Sequence, residues 1–479
     1  MKSKWFRFLS AAVLALLLCA LAPIAPAAEE GNSSASQPWD GVSTASGFHS
    51  GDGSFGNPFI ISTPAEFNYF ATYVTRNGVT ANRYFLLSND LDFGGHAISP
   101  VGNKSSKFSG VFDGRGHTIS NFTMSSSTPD AFVGLFANIN GSQAAVKNFT
   151  VSDASISGTV NSYMGVVAGY LTNGTISGVT VADSVSASLT GADAQGSIGG
   201  VAGRVYGTVD FVVSAASVTV GGSANTIFAG GITGVTGNGS GMVRNSVYQG
   251  NLIVSGSKVI AGGISGIVGA GNGDGNVESC INTGKLSAAY TCGGIVGNIN
   301  TVGNSIKGCT NLSTTLEGAA GRTGGVVGTL SKATTLSENT SVVTEQLPLC
   351  GSEMADSITE DMLAQMTEIT AEDGAAVLAA LEAAIADHAK AEAEIVYEEE
   401  DENPADTGSE TTTEQPETTA TPTDTAAPST SSQGTDPGSE TADPEPEEGC
   451  SSAIGFGLWA LPATISAVAV LARKRNDDK

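Results

Sequence analysis

The sequence predicts an all-β solenoid on three observations: a glycine cassette at a nearly fixed interval, alternating stretches between its copies, and a composition poor in charge. Six cassettes align: Gly165-Val-Val-Ala-Gly169, Gly199-Gly-Val-Ala-Gly203, Gly230-Gly-Ile-Thr-Gly234, Gly262-Gly-Ile-Ser-Gly266, Gly293-Gly-Ile-Val-Gly297 and Gly324-Gly-Val-Val-Gly328. Their spacings are 34, 31, 32, 31 and 31, and a degenerate member, Val133-Gly134-Leu135-Phe136-Ala137, precedes Gly165 by a matching interval. Repetition at 20 to 50 residues is the mark of stacked units. Between cassettes, Val146–Val151 and Val243–Val247 alternate apolar and polar residues, as a half-buried strand does. No helical period runs between Phe122 and Val343, so strands and turns make up each coil. Charged residues are 14 % and aromatics 6 %, with 62 glycines. A compact enzyme usually carries about 25 % charge.

Each unit of about 31 residues reads as one coil, stacked on the last at a strand spacing of about 4.8 Å. Glycine recurs where coils turn or backbones meet closely, since it alone lacks the Cβ that obstructs both. The cassette resembles the GLUG-motif repeat of bacterial surface proteins. Upstream segments match what precedes such repeats: Trp39-Asp40-Gly41, Gly56–Ile61, Phe85–Asp92 and Phe108–Ile119. The resemblance covers about Trp39 to Glu345 and implies a right-handed parallel β-helix. It implies an extracellular place and is nearly silent on activity.

Both ends carry membrane signals. Lys2, Lys4 and Arg7, the apolar run Leu9–Leu21 and Ala25-Pro26-Ala27-Ala28 read as a signal peptide over residues 1–28, cleaved after Ala27 or Ala28. Cys19 lies in the discarded part, because Leu16-Leu17-Leu18 fits a lipoprotein site poorly. Ala453–Ala472 is 20 residues without charge, enough at about 1.5 Å each to cross a bilayer core. Arg473-Lys474-Arg475 follows and keeps the tail 473–479 cytoplasmic. With Gly449-Cys450 before it, this end resembles the Gly-Cys, helix and basic-tail anchor of clostridia-like surface proteins. Leu461-Pro462-Ala463-Thr464-Ile465 mimics a sortase motif but has Ile where Gly is required. Residues 398–449 form a stalk: Glu398 to Glu448 holds 16 acidic residues and no Lys or Arg, so it cannot bury enough apolar surface to order.

The part between divides into an N-terminal cap with first coils (39–122), the repeat solenoid (123–345) and a helical segment (346–397). Thr63-Pro64-Ala65-Glu66 is a capping box, and Phe67, Phe70, Ala71 and Val74 share one helical face. This helix is expected to cap the first coil. Ser357-x-x-Glu360 and Thr370-x-x-Asp373 start two more helices, the second with a stripe of Val377, Leu378, Leu381 and Ile385. These either cap the far end or form a neck leading to the stalk.

The richest polar cluster is Asp90, Asp92, Asp113, Arg115 and His117. Such groups could do acid–base work or hold calcium, but Asp113-Gly114 also reads as a strand turn, and turn chemistry is the expectation. Some immunoglobulin A-cleaving metallopeptidases carry similar repeats, yet none of the four histidines here sits in an HExxH helix motif. No nucleophile elbow, phosphate loop or paired-CxxC site is present either. β-Helical polysaccharide lyases are the fair rival; they gather basic residues on one strand face. The cations here, Lys147, Arg204, Arg244, Lys258, Lys285, Lys307 and Arg322, are expected at non-equivalent coil positions. Cys280 and Cys309 follow Val277 and Ile306 by three residues, so they stack on adjacent coils as a thiol ladder or a disulfide.

The chain therefore reads as a non-enzymatic surface repeat protein, adhesin-like or glycan-displaying, with a passive spacer as the bland alternative. No catalytic residue, cofactor or metal is expected. The expected partners are the membrane, through the C-terminal helix, and an extracellular glycan or a component of a host or neighbouring cell. A net charge of −26 argues against nucleic acid.

Overall fold

The computed structural model describes residues 39–397 apart from 79, 160–161, 192–195, 223–225, 271–272, 289, 333, 343–347 and 353–358. The expected signal peptide, acidic stalk, transmembrane helix and tail lie outside the described residues, as does Ser357. Among the described residues no helix is long and apolar enough to cross a membrane.

The fold is a parallel β-solenoid. Its first face is a continuous ladder in which Phe59, Phe85, Phe112, Val146, Ile176, Val209, Val243, Val277, Ile306 and Leu336 pair in turn. From Phe85 onward this column is inward and buried. Stacking like residues on like is what a nearly constant repeat with period-2 strands dictates, since the register carries each inward position onto the next coil. A one-residue bend then turns the chain. At this corner Asn148, Phe211, Asn245, Ser279 and Glu338 hold φ between +48° and +60°, joined by Gly178 and Gly308.

Past the corner a second inward column changes chemistry along its length. It runs Leu91, Ile119, Val151, Val181, then Ser214, Tyr248, Asn282, Asn311 and Ser341. The two asparagines are fully buried and wired: Asn282 Nδ2 donates to Asn311 Oδ1 at 2.9 Å, and Asn311 Nδ2 to Ser341 Oγ at 3.0 Å. A buried amide ladder of this kind satisfies groups that would otherwise cost a few kcal/mol each.

The cassettes close each coil. Their flanks form two seven-stranded parallel sheets, one from Phe132–Val133 to Thr323–Gly324 and one from Phe136–Ile139 to Val327–Leu330. None of the seventeen glycines in the six cassettes has positive φ, so the requirement is space, not conformation. A Cβ on Gly234 would stand 2.7 Å from Ile198 N, and one on Gly266 2.6 Å from Ala229 N, both backbone atoms of the preceding coil. The second cassette glycine has its own reason. Gly200, Gly231, Gly263, Gly294 and Gly325 face Ser214, Tyr248, Asn282, Asn311 and Ser341 of the second column. Valine or leucine holds that place in the two earlier cassettes (Leu135, Val166), on the coils where the column is still aliphatic.

Helix α1, Pro64–Asn77, covers the first coils as expected. Thr63 Oγ1 accepts from Glu66 N at 3.3 Å and Glu66 Oε2 accepts from Thr63 N at 3.1 Å, closing the capping box. Phe67, Phe70, Ala71 and Val74 are buried, and Phe70 stacks on Phe112 at 5.8 Å.

The helical segment meets the capping expectation in its first part only, where Leu363 and Met366 pack on the core. Helix α2, Glu360–Leu363, is followed by strand Met366–Glu368, which adds to the last coil beside Asn339–Ser341. Helix α3, Ala371–Ala393, then neither caps the far end nor stands free. It lies back along the flank: Gly374 abuts Leu312, Leu381 packs with Ile281 and Val247, His388 stacks on Phe211 at 4.3 Å, and Glu392 reaches Lys147. The expected stripe Val377, Leu378, Leu381 and Ile385 is what docks. It finds an outward column, Thr150, Thr180, Val213, Val247, Ile281, Thr310, Thr340, that turns aliphatic for three coils in its middle. A helical turn rises about 5.4 Å and a coil about 4.8 Å, so successive turns face successive coils.

The expectation of scattered cations holds for Arg204 and Lys285, which pair with Tyr170 and Asn251, and is corrected for Lys147, Arg244 and Lys307. Register places Asp113, Lys147, Ser177, Asp210, Arg244, Glu278 and Lys307 in one column, so the signs alternate up the stack apart from the serine. Alternation on a ladder of about 4.8 Å spacing neutralises the column. Within it, Arg244 meets Asp210 at 2.8 Å. Cys280 and Cys309 are buried free thiols, the ladder and not the disulfide. Burial, then Cys309, pushes the Cys280 thiol well up.

Candidate ligand-binding face

The expected polar cluster divides in two. Asp90 Oδ1 accepts from Thr118 N at 2.8 Å and meets His117 Nδ1 at 3.2 Å; Asp92 Oδ1 accepts from Gly94 N at 2.8 Å and Asn121 Nδ2 at 3.0 Å. These groups wire turns of the first coils. Asp113 is different. It is fully buried, its Oδ1 accepts from Arg115 N at 2.9 Å and Asn148 Nδ2 at 3.1 Å, and its Oδ2 accepts from the Tyr397 hydroxyl at 2.9 Å. Lys147 Nζ lies 3.8 Å from Asp113 and 2.6 Å from Glu392, and Arg115 donates to the Ile395 carbonyl at 2.8 Å. Asp113 and Arg115 therefore clasp the end of α3 against the first coils.

This clasp is acid-sensitive by construction. Burial alone would raise the Glu392 carboxyl, but the hydrogen bond and charge of Lys147, with Asn148, outweigh it and hold the pKa below 4.5. Burial lowers His388 below 6.5, against the opposing pull of Glu392 and Asp210. A depressed carboxylate stabilises the fold above its unfolded pKa and stops doing so as pH falls through the folded value. A histidine with a lowered folded pKa binds its proton better when released, so it too disfavours docking as pH drops below 6.5. Amide exchange in 371–397 is expected to quicken first below pH 6.5 and further below 4.5, while the coils around Val243 stay protected. Uniform exchange across that range would contradict it.

A second constellation lies on the outer side of the cassette sheets over the early coils. Phe132 stacks on Tyr163 at 5.4 Å, Tyr163 and Tyr170 stand 5.9 Å apart, and Tyr170 meets Tyr206 edge-on at 5.2 Å. The Arg204 guanidinium sits 4.4 Å from the Tyr163 ring centre, 6.0 Å from Tyr170 and 5.9 Å from Tyr206. Lys104 Nζ is 5.7 Å over Phe132. The pairing Asn138, Tyr170, Arg204 sets three successive rungs in register, and Phe132, Tyr163, Ser197 form the facing column. All four aromatic side chains are half-buried. Burial and then Tyr206 raise the Tyr170 phenol, so it stays a neutral donor.

Three of nine tyrosines meet here in a chain with few aromatics. Sequence reasoning missed them. The usable signal was position: Phe132, Tyr163 and Phe228 each stand two residues before a cassette glycine, which puts them in one column. In the sequence Arg204 is one of several scattered cations. Its cage is visible only once the strands bearing Tyr163, Tyr170 and Tyr206 are folded together.

Fold and site define a parallel β-solenoid with an outward aromatic–cation face and a laterally docked helix. No described family's sequence profile matches this chain. Over 149 residues it is 30 % identical to Halomucin of Haloquadratum walsbyi (strain DSM 16790 / HBSQ001), a stretch that is 29 % of this chain and 2 % of that protein. The chain thus spans a small fraction of that relative's length. A solved structure, that of a provisionally assigned immunoglobulin A1 protease from Bacteroides ovatus, has 19 % identity and a TM-score of 0.46, covering 70 % of this chain and 90 % of that one.

Proposed function

We propose that this chain is a non-catalytic, GLUG-type cell-surface repeat protein whose solenoid presents the Tyr163–Tyr170–Tyr206 face to extracellular glycans. The acidic stretch 398–449 would hold it away from a C-terminal membrane anchor at 453–472. The observation that carries the reading is the aromatic face. Pyranose rings expose C–H faces that pack on aromatic rings, and tyrosine adds a hydroxyl for the sugar's own hydroxyls. Rigid strands fix the rings before any ligand arrives, which lowers the ordering cost of binding. What supports the non-catalytic part is that Asp113, the fully buried carboxylate among the described residues, is engaged by Lys147, Asn148 and Tyr397. The remaining candidates, Asp90 and Asp92, hold turns.

The test is a glycan array probed with the full chain and with Tyr163→Ala and Tyr170→Ala. Binding by the parent chain is expected to fall about tenfold or more in each variant, the usual cost of truncating a central aromatic contact. Melting temperature controls for folding. Retained binding in both folded variants would remove this face from the function.

A further inference from the structure

We infer that the Arg204 cage selects carboxylate-bearing sugars, such as uronates or sialates, over neutral ones. The inference rests on the glycan-binding reading and narrows it. Its ground is where the Arg204 guanidinium sits, beside three tyrosine rings rather than a carboxylate. Lys147 meets Glu392 and Asp113, and Arg244 meets Asp210. Arg115 is used on the Ile395 carbonyl and Arg83 on the Asp52 carbonyl. Arg204 meets the Tyr170 hydroxyl instead, and among the described residues no carboxylate lies within ion-pair distance of it or of Lys104. Its Nε is buried without a hydrogen bond.

A buried donor on a charged group is costly to leave unmade, and cation–π contact with rings at 4.4 to 6.0 Å replaces only part of it. A guanidinium held flat among aromatic rings presents a planar fork, and that fork matches a carboxylate bidentately. The neighbouring order is also telling. Lys104 lies over Phe132, Phe132 stacks on Tyr163, and Tyr163 lies under Arg204, so an aromatic run carries a cation at either end. An acidic sugar would bring a carboxylate for the guanidinium and a ring to lie beside the tyrosines.

The experiment uses the full chain and two matched pairs of probes: oligogalacturonate against a neutral galactose oligomer, and sialyllactose against lactose. Calorimetry or surface binding is expected to favour the acidic member of at least one pair by about tenfold, the usual worth of one charge-assisted contact. Arg204→Gln is expected to abolish that preference, so that both members of the pair bind alike, and Arg204→Lys to restore it in part. Lys104→Gln, at an exposed side chain, tests the same idea without touching the cage and is expected to weaken only the acidic member. Equal affinity for both members of each pair, or a preference that survives Arg204→Gln and Lys104→Gln together, overturns the selectivity. No binding to any of the four removes the glycan reading itself, so the two failures are distinct.

Discussion

Replacing Gly234 by alanine is expected to destabilise the solenoid by about 2 to 4 kcal/mol, far beyond what one methyl group costs on a surface. The added Cβ would stand 2.7 Å from Ile198 N, 2.8 Å from the Gly203 carbonyl oxygen and 2.8 Å from Ser197 Cβ. The first two are backbone atoms in the preceding coil, held by ladders on both sides, so they cannot swing away as the tip of a long side chain would. The coil must lift instead, and that loosens contacts with both neighbours, since each coil is supported by the two it touches. Gly47→Ala is the control: nothing lies within 4 Å of its would-be Cβ and its φ is unexceptional. It should be neutral or slightly stabilising, as a glycine replacement is where the backbone already suits alanine. Urea denaturation of both variants decides the matter. A Gly234→Ala protein that unfolds at the parent's midpoint would mean that the cassette glycines do not set the coil's closeness.

The cassette was readable because its requirement is local and repeats. The same close approach occurs on every coil, so the same residue returns at a nearly constant interval, from Gly169 through Gly203 and Gly234 to Gly328. Helix α1 was readable for a similar reason, as its capping box and apolar face lie within one short segment, Thr63 to Val74. The stripe of α3 was also plain, but where it docks was not. That depends on Val213, Val247 and Ile281 being one column, and periodicity alone does not mark three outward aliphatics as neighbours. Counting along the charged column fails likewise, because its steps are uneven: Asp210, Arg244 and Glu278 follow at one interval, and Lys307 then comes early. Loops of varying length between strands shift the count, enough to hide a register that the backbone ladder restores. The buried Asn282–Asn311 pair was hidden for the opposite reason: asparagine between strands reads as turn chemistry until the facing Gly263 and Gly294 show the room made for it.

Leu381→Asp is expected to free helix α3 from the flank while leaving the coils folded. Leu381 is 8 % exposed against Val247 and Ile281, which are 0 % and 2 % exposed. An aspartate there meets two apolar side chains and no partner, a burial costing about 2 to 4 kcal/mol, and undocking avoids that cost. The second anchor can be cut separately. Asp113→Ala removes the acceptor for the Tyr397 hydroxyl, Asn148 Nδ2 and Arg115 N at once, and takes one of two carboxylates from Lys147. A turn aspartate alone is worth about 1 kcal/mol. A fully buried one shared among these groups is worth more, about 2 to 4 kcal/mol. The two variants differ in where the loss appears. Leu381→Asp should speed amide exchange across 371–397 and expose Val247 and Ile281, with the melting transition of the coils little changed, because the inward columns are untouched. Asp113→Ala should speed exchange at the Glu392–Tyr397 end and lower the melting temperature as well, since Asp113 also holds the first-coil turn through Arg115 N. If both variants left exchange in 371–397 at the parent's rate, the helix would be held by something other than these contacts.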